Sequence, residues 1–104
     1  MIVKLKQYII EQERSINGEV ISTRFGYAIA IKSHWWNKKP KYLRLLYGWQ
    51  WSIMHDQNIN VQLADNISEA TAFREDGEMD YSSKSTAENV IQLLKEQPQR
   101  FILS

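Results

Sequence analysis

The chain of 104 residues has no cysteine. That excludes a disulfide framework, a thiol nucleophile and a cysteine-based zinc site. It fits a reducing compartment. Only two prolines and four glycines are present, and the glycines never cluster, so no phosphate-cradling loop can be drawn. No apolar run approaches the roughly 18 residues needed to span a bilayer. Lys4, Lys6 and Gln7 interrupt the N-terminal segment, which therefore does not read as the core of a signal peptide. A cytoplasmic location and no membrane partner are expected. The two histidines, His34 and His55, stand far apart, and neither has a second ligand at metal spacing. No serine sits in a strained elbow of the kind that carries a Ser-His-Asp triad. The expectation is a protein that is not an enzyme, with no catalytic residues, no metal site and no cofactor.

Charge is absent selectively. Residues 20–55 contain six cations (Arg24, Lys32, Lys38, Lys39, Lys41, Arg44) and no acid. The preceding residues are neutral overall, and residues 56–104 carry a net −5. A chain polarised in this way can steer charged partners if the two halves stay apart in space. The same basic stretch holds eight of the twelve aromatic residues and all four tryptophans.

Strand signals dominate the first two thirds. Asn17-Gly18, between apolar flanks, marks a hairpin with a type I′ turn, pairing residues 3–15 with about 20–32. Phe25, Tyr27, Ile29 and Ile31 alternate with the small residues Gly26, Ala28 and Ala30. The small-residue face leaves room for a helix. Residues 33–41 form a loop around Asn37 and Pro40. A third strand is expected across 42–54, with Leu43, Leu45, Tyr47, Trp49, Trp51 and Ile53 on one face, which makes both tryptophans core. Ile59, Val61 and Leu63 mark a fourth. Residues 65–84 are acidic, and Asp76-Gly77 suggests either a second hairpin or an acidic loop.

One helix is expected over 86–96, with Ser85 as N-cap, Glu88 completing a capping box, Val90, Ile91 and Leu94 as its apolar stripe and Pro98 as its stop. Phe101–Leu103 should pack on the sheet or add a short edge strand. The chain reads as a single α+β domain over residues 1–104: an antiparallel β-meander of four to six strands with one C-terminal helix packed on it. A small closed β-barrel with a helix is the alternative.

Two functions fit. The first is a small binding or regulatory domain acting through protein–protein contacts, since Trp, Tyr and Arg dominate interface hot spots. The second is single-stranded nucleic-acid binding by loop 34–44, where aromatics that can stack on bases interleave with cations that can track phosphates. The candidate binding residues for either are Arg24, His34, Trp35, Trp36, Lys38, Lys39, Lys41, Tyr42 and Arg44. Glu75, Asp76, Glu78 and Asp80 form a secondary acidic surface suited to a basic partner; they lack the calcium-loop pattern. A second copy of the chain is a further candidate partner, forming a homodimer over any aromatic surface one helix leaves bare.

Overall fold

The computed structural model describes residues 1–34, 39–75 and 83–104. The order of elements is β1 (Ile2–Arg14), β2 (Val20–Lys32), β3 (Lys41–Leu45), α1 (Trp49–Met54), β4 (Ile59–Ala64), a 3-10 turn (Ile67–Glu69), α2 (Lys84–Glu96), a second 3-10 turn (Pro98–Arg100) and β5 (Phe101–Leu103). The strands form one open five-stranded sheet in the order β1-β2-β3-β4-β5. The first three pairings are antiparallel, as a meander requires. β5 returns after α2 and lies parallel to β4, so the sheet is mixed. It is not closed into a barrel. No helix among the described residues is long and apolar enough to cross a membrane.

β1 and β2 pair along nearly their whole length, from Ile2 opposite Lys32 to Arg14 opposite Val20. Their turn is not type I′. Gly18 has φ of +84°, but Asn17 does not share it. Instead Gly18 N donates to Ser15 O (2.9 Å) and Ser15 N to Glu19 O (2.7 Å). This is a three-residue loop that needs a left-handed residue only at its last position, where glycine incurs no Cβ clash. Two register shifts, at Ile10 and near Ile21, twist the ribbon. Its far half extends beyond the core. The radius of gyration is accordingly 15.1 Å, with extents of 51 × 35 × 20 Å; a compact chain of this length would have about 13 Å.

β2 and β3 share only two residue pairs, Ala30–Tyr42 and Ile31–Lys41, and then diverge. Residues 71–73 fill the split. Thr71 N donates to Leu43 O, and Leu45 N donates to Thr71 Oγ1 at 2.7 Å. Phe73 exchanges both backbone hydrogen bonds with Tyr27, each 2.8 Å. Its side chain is fully buried in the main core with Ile29, Leu43, Trp49, Val90 and Leu94. Hydrogen bonds to both parting strands keep their inward amides and carbonyls from being buried unpaired.

Helix α2 packs on the face bearing Tyr27 and Ile29, not on the alanine face. The large side chains supply the apolar area that a helix stripe needs, and Ala87, Val90 and Leu94 supply the matching surface. The small face, with Ala28, Ala30 and Tyr42, is instead covered by Tyr8, Ile67 and Ala70. A thin 3-10 turn fits where there was room for little more. The helix also begins earlier than its sequence signal. Ser83, not Ser85, is the N-cap, and its Oγ accepts from Thr86 N. Lys84 N donates to Arg74 O at 2.7 Å, which satisfies a free amide of the first turn and fixes the start there. Glu88 lies exposed on the helix. The expected hairpin at Asp76-Gly77 falls outside the described residues.

The long third strand does not form. β3 ends at Leu45, and Gly48, with φ of +88°, turns the chain into α1. Trp49 is 7% exposed and packs edge-on to Phe73, with ring centroids 6.0 Å apart and planes at 70°. Trp51 is 59% exposed. On a strand the two would share a face; on a helix they are 200° apart, and Ile53 joins Trp49 instead.

Candidate functional site

The structure divides the predicted binding residues. Trp35, Trp36 and Lys38 lie outside the described residues. His34 and Lys39 are exposed at the loop's two ends. Lys41 opens β3 and forms an exposed ion pair with Asp65 at the end of β4. That contact, with Lys39 nearby, holds the Asp65 carboxyl below its ordinary value. Tyr42 is buried under the 3-10 turn, so its ring is packed in the minor core and not presented to solvent. Its hydroxyl is 3.5 Å from Lys6 Nζ, which also lies 5.8 Å from the ring centre. Arg44 is exposed opposite Gln62. Arg24 belongs elsewhere, well out on the projecting ribbon, 4.0 Å from Glu11. Of the acidic residues only Glu75 is described. It accepts a hydrogen bond from Tyr27 OH, while Lys84 Nζ sits 5.1 Å from the centre of the Tyr27 ring.

What the sheet adds to the basic stretch is Lys4 and Lys6, two cations that linear inspection had left in a neutral segment. Strand alternation puts Lys4 and Lys6 of β1 and Lys32 of β2 on one side. With Ile2, Ala30 and Pro40 they line a groove of about 510 Å³. Lys4, Lys6, Lys32 and Arg44 have no ion-pair partner among the described residues. Tyr8, on the same face, has its hydroxyl pKa raised by burial.

A second surface surrounds α1. Tyr47 and Met54 are exposed along with Trp51, and Tyr47, Gly48, Gln50 and Trp51 line a shallow depression of about 860 Å³. Three features hold it in shape. Trp49 anchors the helix in the core. Trp51 stacks on His55 one turn later, with centroids 4.6 Å apart. The mostly buried Arg100 side chain donates to Ser52 O (3.1 Å) and Gln57 O (3.0 Å) and reaches within 3.9 Å of Asp56. Sequence reasoning missed this surface because it assigned Tyr47 and Trp51 to a buried strand face. Gly48 was the one local signal that the strand stops.

Neither histidine lies in a group of three or more metal-ligating side chains among the described residues. His55 is the C-cap of α1, and His34 lies two residues beyond the end of β2. Comparison with protein-family models, with characterised proteins and with solved structures yields no match to this chain.

Proposed function

We propose that this chain is a non-enzymatic binding and regulatory domain that acts through protein contacts, with the α1 surface as its contact site. The observation that supports this reading is the exposure of Trp51 and Met54 on α1, an element that Trp49 and Arg100 anchor, with Tyr47 exposed just before it. Exposed aromatics on a fixed support lose little side-chain entropy on binding and carry much of the energy of interfaces. Affinity capture from the native cell with the wild type and with Tyr47→Ala/Trp51→Ala tests it. A partner should be retained by the wild type at physiological salt and lost with the variant, whose circular dichroism stays unchanged. Equal retention by both would exclude the α1 surface.

A second reading has its own support. Lys32 belongs both to the lysine groove and to a smaller depression beside the loop that Lys39 and Lys41 also line, a basic surface suited to single-stranded nucleic acid. Burial of Tyr42 removes one stacking ring from that surface. Oligonucleotide anisotropy at two salt concentrations tests it. Four to six phosphate contacts would give a log-log salt slope of about −3 to −4 for a single strand. Lys32→Ala/Lys39→Ala/Lys41→Ala should abolish binding while leaving protein capture intact.

A further inference from the structure

Among the described residues, the outer edge of β1 has no strand beside it. β1 is the first strand in the sheet order and is 13 residues long, and no other described segment pairs with that edge. An unpaired edge of this length is a template for another strand. The opposite edge, β5, has only three residues and offers little to pair with. Much of β1 also borders an exposed apolar ribbon, with Ile9 and Phe25 opposite each other and only half covered.

The charges of β1 are arranged for a particular partner. Lys4 and Lys6 lie at one end, Glu11 and Glu13 at the other. Lys4 and Lys6 oppose Ala30 and Ala28 on β2. Glu11 and Glu13 oppose Arg24 and Ser22, which continue the same face. All four charges therefore project to one side of the sheet. They do so only because the extra residue at Ile10 corrects the parity; without it Glu11 would project to the opposite face from Lys6.

We infer that β1 pairs antiparallel with β1 of a second copy, about a two-fold axis through Tyr8. Lys4 then opposes Glu13 of the second copy, and Lys6 opposes its Glu11. Leu5 faces Gln12, Val3 faces Arg14, and the two Tyr8 residues face each other. The Ile10 bulge of each chain falls opposite Lys6 of the other, so every opposed pair shares a face. Gln7 meets Ile9 on the far side, bringing the Ile9 and Phe25 pairs of both copies together at the axis. Opposite charges set directly across a sheet stabilise it, and like charges oppose it. In this register these eight charges are matched, with Arg14 at the outer end opposite Val3, and the two-fold symmetry makes one interface satisfy both copies and close the assembly. The two sheets become one ten-stranded sheet. This surface is separate from α1, so its test is independent of the capture experiment.

The test is molar mass in solution by analytical ultracentrifugation. The wild type should be dimeric in the micromolar range. Lys4→Glu/Lys6→Glu makes all four opposed positions acidic, and Glu11→Lys/Glu13→Lys makes all four cationic; each variant should be monomeric. Mixed in equal amounts, they should form a heterodimer, because every opposed pair is again of opposite sign. A monomeric wild type at all concentrations, a dimer that persists in either variant, or a mixture that stays monomeric would overturn the proposal. Hydrogen exchange on the wild type gives a reading that needs no variant. The outward amides of β1 should gain protection as concentration rises; protection gained at β5 instead would also overturn it.

Discussion

Trp49 and Trp51 stand two positions apart and occupy opposite environments, one in the core and one at the surface. Trp49→Ala would leave a cavity beside Phe73, and we expect a loss of about 3–5 kcal/mol in urea denaturation. Phe73→Ala should cost a similar amount, since its side chain is wholly buried where the sheet splits. Trp51→Ala should change stability by no more than about 0.5 kcal/mol. Equal effects at the two tryptophans would mean that residues 49–54 are a strand. Asp65 makes a second prediction at this scale. Its folded-state pKa lies below the unfolded value of about 3.9, so its contribution to stability is present above that pH and is lost as pH falls through the folded value. Lys41→Ala should move the Asp65 carboxyl titration, followed by NMR, upward towards that value. No upward movement would show that the Lys41 contact is not made in solution.

Among the elements, β2 and β4 were legible because residues of one kind recur every second position and turn residues bound the runs, whereas β1, whose own pattern is irregular, was legible only through the hairpin signal at Asn17-Gly18. The stripe of α2 was equally plain. Its start was not, because two serines compete for the cap, and the Arg74–Ser83 bridge, which no local pattern announces, decides between them. Ser83→Ala should therefore lower stability by about 0.5–2 kcal/mol, and Ser85→Ala by much less. The reverse order in thermal melts would restore the sequence-based cap. β3 was overextended because Trp49 and Ile53 satisfy both an alternating pattern and a helical i, i+4 pattern; only Gly48 separates the two. Thr71 and Phe73 could be read only as one arm of a hairpin about Asp76-Gly77, and their place between β2 and β3 gave no sequence signal. The segment makes one bridge to β2 and side-chain and backbone bonds to β3, too few residues for any periodicity.

For the whole molecule, the α+β class and the edge position of the last strand could be read from the chain, whereas the parallel pairing of β5 could not. Parallel or antiparallel placement depends on where α2 leaves the chain, which is a property of the assembled core. The candidate site was half legible. The cations of residues 20–55, Lys32 among them, were visible in sequence, but Lys4 and Lys6 join them only through strand register. The ribbon formed by β1 and β2 extends past the core, so its far half is covered on neither face by α2. Amides near Ser15–Glu19 should exchange with solvent far faster than those of Ile29 or Leu43 in hydrogen-exchange mass spectrometry of the dilute protein. Uniform protection along the ribbon would contradict this gradient.

The split between β2 and β3 bears on the order of assembly. A meander can zip from one hairpin to the next, each closing a short loop. Here the second hairpin has two pairs and cannot hold itself together. It must wait for a segment some thirty residues further along the chain, and that same segment leads into α2. Sheet closure and helix docking thus become a single cooperative event, with the first hairpin free to form ahead of it. Substitutions at Phe73 would then slow refolding, whereas substitutions at the tip of the ribbon would leave its rate untouched.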